Sequence, residues 1–364
     1  MISPEDMEKL IRSELKDMPA YIPIEPTDVL SRRINLPEEN VIKLDGNENP
    51  YGCSLRVKQT LADYAYYHLY PDPEQRELRK ALAKYTGVSI ENILAGSGSD
   101  ELIDLILRLF IRPGDGVVNC PPTFGMYPFS TDVCGGKVVS VPRQQDFSID
   151  IPATKKAMAK GAKVIFIASP NNPSGNITSE PVILEFLNSD TVVVIDEAYF
   201  EFSGETMVPL VAKYSNLIVL RTFSKWAGLA GLRVGYGIFP VNIVKHLMKI
   251  KQPYNINAAA QVAALESLKD ISHLRGTIKA IINERERLMA RLGQLGWLKS
   301  YPSRSNFILC SVLNGRARAI HKGLQKRGIF VRYFDTPLLK DCLRISVGKP
   351  EHTDALIVAL KEIR

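Results

Sequence analysis

The chain has 364 residues, of which 45% are hydrophobic and 23% charged, a globular balance far from the disordered, collagenous or coiled-coil extremes. That length suggests about two domains and excludes a lone binding module. The formal net charge of +7 is a mild excess that a small phosphorylated molecule fits as well as nucleic acid does, but the basic residues are scattered and form no Lys/Arg run with interleaved aromatics, so nucleic acid is not expected.

In chain order, residues 1–40 carry Pro19, Pro23, Pro26 and Pro37 and read as a helix followed by an extended arm. The first 21 residues alternate acids and bases without the apolar centre of a signal peptide, and no later apolar run approaches a membrane span, so export and insertion are not expected. Seven short β-branched runs follow between residues 92 and 238: NILAG, GVVNC, KVVSV, KVIFIA, TVVVID, LIVLRT and VGYGI. Several are apolar without alternation, the pattern of a parallel sheet covered on both faces, and helix-like segments at 100–110, 151–160 and 180–188 separate some of them. These features define an α/β class, with a large domain over 41–257 built on a mostly parallel seven-stranded sheet. From 258 to 295 apolar residues recur at three- and four-residue spacing as one long helical stretch. A strand at 306–312, a helix at 316–327, strands at 329–332 and 342–347 and a terminal helix then suggest a smaller α+β domain over 258–364.

The five cysteines are widely spaced and include no C-x-x-C pair, so neither a disulfide framework nor a thiolate metal site is indicated, and a reducing cytoplasm is expected. Lys225 follows the LIVLRT strand in TFSKWAGLAGLRVGY, beside small residues that leave an amine free to reach a cleft. Such amines form Schiff bases with carbonyl compounds and with pyridoxal phosphate. Asp196 ends the strand TVVVI at the edge where open α/β sheets bind ligands, and a carboxylate there can hold a pyridine nitrogen protonated. Asn172, in the turn-former cluster SPNNPSG, and Tyr199 could both hydrogen-bond a phenolic oxygen. GSGSDE at 96–101 opens a helix after a strand and is a phosphate cradle by position, with Ser224 and Arg233 as further donors. It is not G-x-G-x-x-G, and no Walker-type loop occurs. Phe124, at another strand end, suits stacking on a planar ring.

Together with LDGNENPYG at 44–52, YPDP at 70–73, NNPSG at 171–175, VIDEAYFEF at 194–202, KQPYNIN at 251–257, SNFIL at 305–309 and LRISVG at 343–348, these motifs resemble the fold type I pyridoxal-phosphate enzymes, and among them the histidinol-phosphate aminotransferase family. The resemblance implies pyridoxal 5'-phosphate as cofactor. It makes Lys225 the Schiff-base lysine, Asp196 the pyridine-nitrogen partner, Asn172 and Tyr199 the phenolate ligands, and Phe124 the stacking ring. Ser99, Asp100, Ser224 and Arg233 become phosphate ligands, and Tyr70 of YPDP reaches the phosphate of the neighbouring subunit in a homodimer. Tyr21, Asn47, Arg332 and Arg344 are implied on the substrate side, the two arginines handling its anionic groups. The implied reaction is amino transfer between L-histidinol phosphate and 2-oxoglutarate, giving imidazole acetol phosphate and L-glutamate in histidine biosynthesis. An aromatic aminotransferase and a threonine-phosphate decarboxylase remain as alternatives on the same fold. A transcriptional regulator would need a DNA-binding domain for which the first 40 residues are too short. Two departures stand out: Tyr21-Ile22-Pro23-Ile24 lacks the family's glycine after the proline, and Lys225 is followed by Trp226-Ala227 in place of alanine and an aromatic.

Overall fold

A computed structural model describes residues 2–363. Its strands are β1 (Ile42–Leu44), β2 (Ile93–Gly96), β3 (Gly116–Asn119), β4 (Lys137–Ser140), β5 (Val164–Ala168), β6 (Val192–Asp196), β7 (Leu217–Thr222), β8 (Gly235–Ile238), β9 (Leu298–Ser300), β10 (Phe307–Val312), β11 (Ile329–Tyr333) and β12 (Cys342–Ser346). All seven runs read from the sequence between 92 and 238 are strands of one sheet, ordered β2-β8-β7-β6-β5-β3-β4. Neighbours from β7 to β4 run parallel, and β8 is antiparallel to both β7 and β2.

The continuous apolar runs have a physical reason. Along β5 to β7, Ile165, Ile167, Val193, Ile195 and Val219 enter one core, whereas Val164, Phe166, Val194, Ile218 and Leu220 enter another on the opposite face. Period-two alternation sorts residues between two apolar layers, so both phases must be apolar. Helix Gly98–Phe110 covers the second face through Leu102, Ile103 and Ile106. Crossovers of this kind bring the C-terminal ends of the parallel strands, and the loops after them, to one edge.

The second sheet has the order β1-β11-β12-β10-β9 and is antiparallel except for β1 on β11. Its core includes Leu292, Ile308, Leu324, Leu343, Ile345 and Leu360. Three local expectations are corrected. The stretch from 258 to 295 is two helices, Ala258–Lys269 and Ile271–Gly293, because Asp270 leaves helical geometry (φ −109°, ψ 32°) with no proline or glycine to announce it. Residues before 41 form three short α-helices, Pro4–Lys9, Ser13–Lys16 and Thr27–Ile34, and a 3-10 turn at Glu38–Asn40, with the main extended stretch before Thr27. Ile42–Leu44, expected with the large domain, joins the second sheet beside β11. At three residues, β1 and the unexpected β9 are too short to carry a readable period. No described helix is long and apolar enough to cross a membrane.

Candidate active site

A cleft of about 850 Å³ opens where the parallel strands end and the second sheet faces them. It is lined by Tyr21, Asn47, Ser99, Asp100, Phe124, Asn172, Asp196, Tyr199, Ser224, Lys225, Arg233, Arg332 and Arg344, residues read from widely separated motifs and brought to one place by the fold. Tyr70 is the exception. Its ring is 82% exposed, stacks on Tyr254 with centroids 4.4 Å apart, and lies outside the cleft of its own chain.

Asp196, the last residue of β6, is 4% exposed. Its Oδ2 accepts from the Tyr127 hydroxyl at 2.7 Å and its Oδ1 from the Ala198 amide at 3.0 Å. Burial pushes the carboxyl up to about 6, against the pull of these two donors. Lys225 emerges just after β7, and its Nζ donates to the Gly46 carbonyl at 3.0 Å. Burial, and secondly the positive charge of Arg344, bring its amine down to about 8. No carboxylate is within ion-pair distance of it among the described residues, so the amine is held ready to lose its proton.

One corner of the cleft lies at the start of helix Gly98–Phe110, where free backbone amides favour an anion. Gly98 sits at φ +76°, and a Cβ there would stand 2.6 Å from Arg233 Nη2. A Cβ on Gly235 would stand 2.6 Å from the Ser99 amide nitrogen, so both glycines keep the cradle open for backbone donors. Arg233 Nη2 donates to Asp100 Oδ2 at 2.7 Å, and the Thr222 hydroxyl donates to Ser224 Oγ at 3.0 Å. Phe124 lines the same cleft and stands edge-on to Tyr127, with ring centroids 5.5 Å apart.

The second sheet supplies the opposite wall. Asn47, at φ 53°, donates through Nδ2 to the Tyr199 hydroxyl oxygen at 2.9 Å, while the Ser346 hydroxyl donates to its Oδ1 at 2.8 Å and Asn306 Nδ2 to its carbonyl at 2.9 Å. Arg344 Nη1 donates to Asn172 Oδ1 at 2.6 Å and its Nη2 to the Asp45 carbonyl, leaving Nε buried without a partner. Arg332 and Arg344 are directly opposed residues on β11 and β12. Two like charges in that register repel unless an anion lies between them.

Tyr127, Thr222, Asn306 and Ser346 were not among the residues expected here. Tyr127 lies in the first turn of helix Met126–Val133, three residues after Phe124, and its proximity to that residue is the one sequence signal for it; the other three act through neighbours and leave no pattern. The donor set fits a flat pyridine ring bearing an aldehyde and a phosphate: an amine of lowered basicity, a buried carboxylate, phenol and amide groups between them, and a glycine-lined helix start. These are the requirements of a pyridoxal-phosphate-dependent enzyme.

The chain belongs to the aminotransferase class I and II family, whose model matches residues 39–360. Among its relatives, the histidinol-phosphate aminotransferase of Dehalococcoides mccartyi is 49% identical over 98% of this chain and 99% of that one. The enzyme of the same name from Roseiflexus castenholzii is 47% identical over 99% of this chain and the whole of its own. The crystal structure of histidinol-phosphate aminotransferase from Sinorhizobium meliloti in complex with pyridoxal-5'-phosphate superposes with a TM-score of 0.88 at 28% identity, covering 96% of each chain. Pyridoxal 5'-phosphate is accordingly the cofactor, and the architecture is that of the fold type I enzymes.

Proposed function

We propose that the protein moves an amino group between L-histidinol phosphate and 2-oxoglutarate, yielding imidazole acetol phosphate and L-glutamate in histidine biosynthesis. The observation that carries this reading is the opposed Arg332–Arg344 pair facing the Lys225 side of the cleft, since both amino donors and both acceptors are anions. Paired guanidiniums suit a phosphate or a carboxylate by bidentate hydrogen bonding, so one clamp serves both substrates in turn. The relatives named above support the phosphorylated donor.

When bound, the cofactor supplies an aldehyde that condenses with primary amines and a ring that accepts the electron pair left by the departing proton. Asp196 keeps a hydrogen on the ring nitrogen, with Tyr127 and the Ala198 amide fixing its orientation. Asn172 and Tyr199 hold the phenolic oxygen; Ser99, Asp100, Ser224 and Arg233 hold the phosphate. Lys225 Nζ, brought down to about 8, takes the proton from the amino-bearing carbon and returns it as an ammonium, one residue acting as base and then acid. The arm at Tyr21–Ile24 covers the cleft, tied down where Arg332 Nη2 donates to the Ile22 carbonyl at 3.3 Å, and keeps water from the reacting carbon. Tyr70, exposed on its own chain, serves the site of the neighbouring chain in a homodimer, and the enzyme works in the cytoplasm.

A half-reaction test decides the donor. Purified holoenzyme mixed separately with histidinol phosphate, histidinol and phenylalanine should convert the cofactor to its amine form fastest with the phosphorylated donor, followed by absorbance. Faster conversion by phenylalanine would replace the reading with an aromatic aminotransferase.

A further inference from the structure

Behind the loop that walls the active cleft lies a second cavity of about 930 Å³. Pro337 and Leu338 line both spaces, so the loop is a partition with one face on each. One side of the second cavity comes from residues 143–147, which follow β4 of the large sheet; the other comes from residues 299–302 and 340–342, attached to the second sheet. The cavity therefore spans the junction between the two sheets.

Arg143 lines it and is only 7% exposed. Its Nε donates to the Cys120 carbonyl at 3.1 Å and its Nη1 to the Phe147 carbonyl at 3.0 Å. Nη2 has no acceptor, and the guanidinium no carboxylate partner, among the described residues. Burial brings this arginine down to about 10, the mark of a charge removed from water without a counter-charge. Burying an uncompensated guanidinium is expensive, and two carbonyl dipoles offset only part of that cost. Lys299 and Lys340, both exposed, line the same cavity, so that with Arg143 its wall carries three cations against two acids, Asp146 and Asp341. Ser311 and Tyr301 bring hydroxyls to the wall.

We propose that this junction cavity binds a phosphate monoester, with its phosphate on Arg143 Nη2 and the two lysines and its hydroxyl-bearing body in the remaining space. The site is distinct from the catalytic cleft, and its occupant bridges the two sheets and braces the 336–339 loop from behind. Nothing in this inference depends on which amino donor the active site uses.

The test uses cofactor-loaded wild-type enzyme and two variants, Lys299→Ala/Lys340→Ala and Arg143→Met, titrated calorimetrically with glycerol 3-phosphate and, separately, with inorganic phosphate. The wild type should bind glycerol 3-phosphate at a site that the double lysine variant weakens about tenfold or more, while turnover without the probe stays unchanged in that variant. Arg143→Met should abolish the same site, and hydrogen exchange over 143–147 and 299–302 should slow together only in the wild type. Indistinguishable isotherms in the wild type and the lysine variant would overturn the proposal, since any binding would then belong to the cleft. Inorganic phosphate binding as tightly as the ester would overturn the monoester assignment and leave a simple anion site.

Discussion

Arg221 and Arg344 are both buried arginines of strand residues, and the molecule uses them in opposite ways. On the large sheet, Arg221 Nη2 lies 2.9 Å from Glu197 Oε2, with both side chains almost fully buried, and its guanidinium sits 3.5 Å from the centre of the Phe200 ring. Its charge is answered inside the protein, and its proton is held above the ordinary arginine range despite burial. In the cleft, Arg344 finds an amide oxygen, a main-chain carbonyl and another arginine opposite it, and burial lowers it. Asp45 gives Arg344 only its carbonyl, because its carboxylate lies 3.0 Å from Lys43 Nζ. The Arg221 charge is neutralised by a bonded carboxylate; Arg344 has no carboxylate bonded to it among the described residues, which leaves that place for a ligand to fill.

The sharpest way to break that contrast is Lys225→Ala. Turnover should fall by about 10⁴-fold or more, since nucleophile and proton carrier go together. The melting temperature should stay level or rise, because an amine without a carboxylate partner leaves the interior. A melting temperature that fell as steeply as the activity would put Lys225 in the same structural class as Arg221.

Glu197→Ala tests the other region. It strands Arg221 without its counter-charge and should cost about 3–5 kcal/mol in denaturant unfolding. Arg344→Met, which removes a charge never neutralised internally, should cost about 1 kcal/mol, the scale of the hydrogen bonds it gives up. Equal costs for the two variants would erase the distinction.

The cofactor-free protein offers a pH test. Asp196 has its carboxyl raised in the folded state from 3.8 to about 6, so between those values the native chain binds more protons than the unfolded one. Stability from this group is present at low pH and is lost as pH rises through 6, by up to about 3 kcal/mol. Asp196→Asn should flatten that part of the unfolding profile between pH 4 and 6. An unchanged profile would mean that the carboxyl is not held in its neutral form.

A further test is Arg332→Ala. The kcat/KM for histidinol phosphate should drop about 10- to 100-fold, the equivalent of one charged hydrogen bond, with little change toward unphosphorylated histidinol. Equal loss on both donors would show that Arg332 acts by tying down the arm at Ile22.

The central strands of the large sheet were legible because each is an apolar run sandwiched between two cores. Lys225 and Asp196 stood out at strand ends, but either alone reads as an ordinary surface lysine or a helix cap; only the set of motifs singled them out, and the fold brings both to one cleft. Asp270 was not legible as a helix break, since an aspartate inside an otherwise continuous apolar period gives no steric warning. Tyr127 was hidden for another reason: a tyrosine 0% exposed and stacked on Phe166 at 4.9 Å looks like core until its hydroxyl is seen on Asp196. The state of the arginines was hidden altogether, because whether a guanidinium meets a carboxylate is a property of the packed structure.

The short β1 strand bears on how the molecule is made. Ile42 and Leu44 pair with Ile329 and Val331, nearly three hundred residues further along the chain, and the next residues, Asp45 to Asn47, carry contacts to Lys225, Tyr199 and Arg344. An emerging polypeptide can complete its seven-stranded sheet while these residues have nothing to pair with, and long-range pairing of this sort forms late and slowly. Lys225 therefore acquires its surroundings only when the carboxy-terminal part of the chain has been synthesised and has captured a strand from near the beginning. A nascent or truncated chain would carry Lys225 on a folded sheet without the wall that makes it an enzyme.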